Sequence, residues 1–162
     1  MNDITMHKIL FICHGNICRS PSAEAIMKSI VAAHGVAEMF EIDSAGLIAY
    51  HEGEQADRRM RQHALRRGFN ITHISRPIVA ARDFEHFDLI VGMDNDNINR
   101  LHSISVNKKY ETKICKITDF AVKGKYTEVP DPYYGGDTGF ERVLDILEDA
   151  CYGLFSALHS AL

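Results

Sequence analysis

The run Lys8-Ile-Leu-Phe-Ile-Cys13 constrains the fold more than any other part of this chain. It is apolar at consecutive positions with no alternation, which suits a strand covered on both faces rather than one half-open to water. Such a strand needs a layer above it and another below. Strand-like segments recur at 39–46 (MFEIDSAG), 87–93 (FDLIVGM) and 112–117 (TKICKI), and stretches of helical character separate them. Alternating strands and helices predict a parallel sheet with right-handed crossovers, hence a doubly wound α/β sandwich. A length of 162 residues suits one compact domain spanning 1–162.

The helical stretches carry their own punctuation. Ser20 offers an N-cap with Pro21 at the first helical position, apolar residues follow at Ala23, Ile26, Met27 and Ile30, and Gly35 is a stop. A second helix is expected over 55–68, ending at Gly68, with arginines 58, 59, 61, 66 and 67 on a solvated face. A short polar helix is expected over 94–103. The last helix has a T-x-x-E capping box at Thr138 and Glu141, followed by an apolar stripe through Phe140, Val143, Leu144, Leu147, Cys151, Leu154, Phe155 and Leu158. Residues 118–137, rich in Gly, Pro, Asp and Tyr, form the one long irregular stretch, and such loops are often functional.

Composition narrows the function classes. A net charge of −4 argues against a nucleic-acid or anionic-membrane binder, which would show a basic footprint. No apolar run approaches the ~20 residues of a membrane span, and the apolar block Ile9 to Ile12 after the short polar start is too short for a signal-peptide core. The expectation is a cytoplasmic protein whose four cysteines, Cys115 and Cys151 in the core among them, are reduced thiols. No second Cys/His pair accompanies Cys13 and Cys18 at ligand spacing, so neither a metal nor another cofactor is expected.

Ligands of doubly wound folds bind beyond the carboxyl ends of the strands. The turn after the first strand is His14-Gly-Asn-Ile-Cys-Arg-Ser20. Gly15 and Asn16 tolerate left-handed backbone, so successive N–H groups can point into one concavity. The following helix aims its dipole and free N–H groups at the same spot. Arg19 adds a planar fork of donors suited to phosphate. Thiols beside an arginine and a helix N-terminus ionise more readily than a free cysteine, and Ser20 can donate a hydrogen bond to the thiolate. Cys13 therefore reads as a nucleophile aimed at a bound phosphoryl group. The nucleotide-type signature G-x-x-x-x-G-K-[ST] is absent.

The segment CHGNICRSP resembles the signature of the low-molecular-weight protein tyrosine phosphatases, and the similarity extends through DSAGL and Tyr50, HISRPI, FDLIVGMD and PDPYYGGDTGFERV. The resemblance implies a flavodoxin-like three-layer sandwich with a four-stranded parallel sheet and helices on both faces. It makes Cys13 the nucleophile of a cysteinyl-phosphate intermediate, with Arg19 and the loop amides of 14–20 gripping the phosphoryl oxygens. Asp131, stiffened by Pro130 and Pro132, becomes the general acid and then the base. Asn16, Ser44 and His73 correspond to a supporting hydrogen-bond network. Tyr50, Tyr133 and Tyr134 correspond to the aromatic walls of the substrate cleft, and Cys18 to a reversible disulfide partner of the nucleophile. The implied partners are phosphotyrosine proteins, with inorganic phosphate as product and a monomer or weak dimer as the state.

Three alternatives differ from this reading at particular residues. Arsenate reductases of this fold add a later cysteine pair near the third strand, and residues 73–95 contain no cysteine. Protein-arginine phosphatases tend to carry threonine where this chain has Ile17, a bulkier apolar residue suited to a phenyl ring. A non-catalytic phosphotyrosine-binding module would need neither the thiol of Cys13 nor the acid of Asp131.

Overall fold

The computed structural model describes residues 5–133 and 135–159. Its centre is a four-stranded parallel sheet of β1 (His7–Cys13), β2 (Phe40–Gly46), β3 (Leu89–Gly92) and β4 (Ile114–Lys116), in the order β2-β1-β3-β4. The helices are α1 (Arg19–Ala33), α2 (Arg58–Arg66), α3 (Ala80–His86), α4 (Asn95–Ile104) and α5 (Asp137–His159). The lack of alternation in β1 now has its cause. Ile9, Phe11 and Cys13 enter a core shared with α1 and α5, while Leu10 and Ile12 enter a second core with Phe84, Phe87, Leu101 and Tyr110. A strand with a core on each face can carry apolar residues at every position.

The strand order positions the site. From β1 the chain moves outward to β2, then crosses back to place β3 on the other side of β1. That reversal opens a crevice at the carboxyl end of β1, where Cys13 pairs with Gly46. The stops at Gly35 and Gly68 follow the helix ends with φ of 70° and 87°, left-handed values that glycine adopts without strain.

Two expected caps are corrected. Helix α1 begins at Arg19 with Cys18 at the N-cap, because the Ser20 hydroxyl turns inward to the thiol of Cys13 instead of capping the backbone. Helix α5 begins at Asp137, so Thr138 lies within its first turn, and the Glu141 carboxylate reaches sideways to His63 and Arg67. Helix α3 was not foreseen. Its seven residues are too few for a periodic signal, and it is started by buried Asp83, whose carboxylate accepts from the Val79 N–H at 2.8 Å.

The arginines of α2 are not all solvated. Arg67 reaches Glu141, Asp145 and Glu148 of α5 at 3.0, 2.9 and 2.6 Å. Arg67 first, then His63, holds the Glu141 carboxyl below its ordinary range. A carboxyl lowered in the folded state contributes stability that is fully present above its unfolded pKa of about 4.3 and is lost as pH falls through the folded value. Arg67→Ala is therefore expected to lower stability at neutral pH by about 1 kcal/mol, because the partners are largely exposed and screened. In thermal melts that is a drop of about 2–4 °C, shrinking with added salt and with acidification below about pH 4. A deficit unchanged by salt and acid would mean the arginine acts through packing alone.

Candidate active site

Helix α1 starts six residues after β1 ends, so the whole turn from sheet to helix is His14–Cys18. Of the two residues that tolerate left-handed backbone, Asn16 adopts it with φ of 59°, and Gly15 does not. Gly15 serves by leaving room, since a Cβ there would lie 3.1 Å from Cδ2 of His51.

Asn16 organises the turn with its side chain. Its Oδ1 accepts from the Arg76 backbone N–H at 3.0 Å, which fixes the amide orientation, and His73 Nε2 approaches the same oxygen at 2.8 Å. Its Nδ2 then donates to Ser20 Oγ at 2.8 Å and Ser44 Oγ at 3.0 Å. The Ser75 hydroxyl donates to the Asn16 carbonyl. Ser44 donates onward to Glu24 at 2.7 Å, and His73 Nδ1 faces Glu24 at 3.1 Å and Asp43 at 3.5 Å. The anticipated trio of Asn16, Ser44 and His73 is thus joined by Glu24, Asp43, Ser75 and Arg76. Glu24, Asp43 and His73 bring three ligating atoms within 4.8 Å of one another, and the same side chains also bond Ser44, Arg76 and Asn16. A hydrogen-bonded brace accounts for the cluster.

Because Ser20 Oγ accepts from Asn16, its own hydrogen is free for Cys13 Sγ, 2.9 Å away. The Asn16 backbone N–H points at the same sulfur from 3.3 Å. Two hydrogen-bond donors thus meet the sulfur. The other cysteines sit differently. Burial pushes the thiol of Cys18 up, that of Cys115 to about 12, and that of Cys151 up as well. Cys115 is partly buried and packs against the core, and Cys151 lies within it.

Arg19 is almost entirely buried, and its Nη1 donates to Asp94 at 2.5 Å and to the Val129 carbonyl at 3.0 Å. Burial works against its charge, but Cys13, Asp94 and Asp131 outweigh that and raise its affinity for the proton. Its Nη2 faces Asp131 Oδ2 at 3.7 Å, across a cleft. The other oxygen of Asp131 accepts the Tyr133 N–H at 3.0 Å. Asp94 was not singled out as a site residue. It caps α4 by accepting the Asn97 N–H, and an acid directly after a strand of a doubly wound sheet was the available signal.

The cleft has a volume of about 320 Å³, within the size of small-ligand sites. Cys13, His14, Gly15, Ile17, Cys18 and Arg19 line it from the turn, and Ile48, Tyr50, His51, Asp131 and Tyr133 from two loops. Tyr50 is 82 % exposed and marks the rim, while Tyr133 is partly covered. Tyr134 lies outside the described residues. Asn16, Ser20, Ser44 and His73 stand behind the turn and do not line the cleft. No helix of the described residues is long and apolar enough to cross a membrane.

Residues 8–162 match the family model for low molecular weight phosphotyrosine protein phosphatase. A crystal structure of a protein tyrosine phosphatase from Entamoeba histolytica, with Hepes in its active site, superposes with a TM-score of 0.92 at 52% identity, covering 96% of this chain and 98% of that one. A low molecular weight protein-tyrosine-phosphatase of Streptomyces coelicolor is 36% identical over 154 residues, 94% of this chain and 93% of the relative. The structure of DARP, a Drosophila arginine phosphatase, matches with a TM-score of 0.86 at 31% identity, covering 93% of this chain and 97% of that one.

Proposed function

The chain belongs to the low molecular weight phosphotyrosine protein phosphatase family, and from that premise we propose that Cys13 carries a phosphoryl group from phosphotyrosine to water. It is a protein tyrosine phosphatase, and phosphoproteins are its substrates. One observation supports the residue roles most directly: Cys13, Arg19 and Asp131, from two segments far apart in sequence, line one cleft.

In this reading the Cys13 thiolate attacks phosphorus, the S–P bond forms and the bond to the tyrosine oxygen breaks. Phenolate is a poor leaving group because the pKa of tyrosine is near 10. Asp131 protonates that oxygen as it departs. Arg19 and the backbone N–H groups of 14–19 hold the equatorial oxygens, where charge is spread in the transition state. Asp131, now a carboxylate, takes a proton from water. The water oxygen attacks phosphorus, the S–P bond breaks, and inorganic phosphate leaves. Ser20 and Asn16 steady the sulfur through both steps.

Ile17, Tyr50 and Tyr133 make the cleft a slot for an aryl ring, deeper than phosphoserine can reach. Cys18 is the thiol available to condense with a Cys13 sulfenic acid, expelling water and leaving a reducible disulfide. The enzyme is taken to act in the cytoplasm, as one domain and as a monomer or weak dimer. The structural likeness to an arginine phosphatase keeps phosphoarginine as a second reading. A peptide panel separates them. Phosphotyrosine peptides are expected to show kcat/KM at least tenfold above phosphoarginine and phosphoserine peptides of matched sequence, the roughly ten- to 200-fold range that one apolar contact controls. Equal or reversed preference would assign the site to the other substrate.

A further inference from the structure

Asp131 is 43 % exposed, and it lies on a loop with no regular structure, so something must hold it over the cleft. Arg19 is too far away at 3.7 Å to fix it by a hydrogen bond. The contact at normal hydrogen-bond length is to the Tyr133 N–H. The carbonyl of that same residue accepts from Arg59 Nη2 at 3.0 Å. Arg59 is on α2, more than seventy positions earlier, and its guanidinium lies over the rings of Phe140 and Tyr133 at 4.8 and 6.0 Å. It is also paired through two nitrogens with Asp57, the N-cap of α2. The Asp57 backbone N–H donates to the carbonyl of Ile17, inside the phosphate-binding turn, at 2.8 Å.

The geometry points to Arg59 as a positioning residue for the general acid. It is the middle of a continuous chain of contacts from Ile17 through Asp57, Arg59 and Tyr133 to Asp131. One end of that chain is the turn that binds phosphate, and the other is the carboxyl that protonates the leaving oxygen. Arg59 does not line the cleft, so it acts through the Tyr133 peptide and not on the substrate. Stacking on Phe140, in the first turn of α5, ties the end of the acid loop to the same guanidinium. A planar fork suits this work, because one edge can meet a carboxylate while the face rests on a ring. The inference rests on Asp131 as the acid.

The test uses leaving groups. Phenyl phosphate needs its oxygen protonated on departure, whereas p-nitrophenyl phosphate expels a stable anion. The parameter is kcat/KM, which covers steps up to loss of the phenol. Misplacing a catalytic group by about 1 Å costs on the order of 100-fold. Arg59→Leu is expected to lower kcat/KM for phenyl phosphate by roughly 10- to 100-fold and for p-nitrophenyl phosphate by less than about threefold. Arg59→Lys, which keeps one donor, is expected to recover part of the loss. Since Arg59 is 45 % exposed, neither change empties the core. Arg67→Ala, at the C-cap of the same helix and away from the acid loop, is the control for general loosening and is expected to affect both substrates equally. Asp131→Asn is the reference for the acid itself. If Asp131→Asn discriminates between the substrates and Arg59→Leu does not, the positioning role is overturned. A matching discrimination in Arg67→Ala would overturn it too, as helix packing would then be the cause. If Asp131→Asn fails to discriminate, the assignment of the acid falls first.

Discussion

Cys13→Ser is expected to lower kcat for phosphotyrosine peptides by roughly 10⁴-fold or more while leaving affinity for inorganic phosphate within a few-fold of wild type. The two halves of this result come from different parts of the site. A hydroxyl in place of the thiol stays neutral and is a far weaker nucleophile, so the S–P intermediate has no counterpart formed at a useful rate. In the proposed mechanism phosphate binding rests instead on Arg19, held by Asp94 and the Val129 carbonyl, and on a turn braced through the Asn16 side chain. The substitution touches neither. Position 13 is buried, but serine is the smaller residue, and the Ser20 hydroxyl and Asn16 N–H that met the sulfur can meet an oxygen. Stopped turnover with phosphate affinity retained, read by kinetics and titration calorimetry, is the signature of a lost nucleophile. Turnover within tenfold of wild type would remove Cys13 from that role. Loss of phosphate affinity in parallel would point instead to a collapsed turn.

What the sequence made legible was local. The buried strand β1, the turn after it, Cys13 and Arg19 all fall within thirteen residues, where strand pattern, turn chemistry and helix start constrain one another. The brace behind the turn was legible only where a residue type looked unusual. Glu24 reads as an ordinary helix-surface acid until the fold brings Ser44 and His73 to it. The caps at Ser20 and Thr138 were misassigned for one reason. A hydroxyl or carboxylate that can cap a helix can equally serve a distant partner, and here Cys13 and Asn16 claimed Ser20 while His63 and Arg67 claimed Glu141. The same blindness turned Arg59 and Arg67 into solvated charges, because Tyr133, Glu141 and Glu148, which they reach, lie 74 or more positions away. Asp131 was reached through family resemblance, since no local pattern links it to a thiol on another segment.

Asp131→Asn tests that long-range link most severely. The expected loss in kcat/KM for phenyl phosphate is about 10²- to 10⁴-fold, the usual range for removing a general acid, with a much smaller loss for p-nitrophenyl phosphate. Asparagine suits the test because its carbonyl oxygen can still accept the Tyr133 N–H, so the loop keeps its main contact. What disappears is the proton for the leaving oxygen. With it goes the carboxylate that draws a proton from water in the second step. The variant should therefore release a burst of p-nitrophenol equal to the enzyme concentration and then turn over slowly, with phosphate held on Cys13. In wild type the rate for phenyl phosphate should decline on the alkaline side, where a general acid has lost its proton, and that limb should be absent from the variant. A uniform loss across leaving groups, with no burst and an unchanged alkaline limb, would mean Asp131 serves only as a negative charge beside Arg19. The 3.7 Å separation and the shared cleft would then describe an ion pair and not an acid poised over a phosphate site.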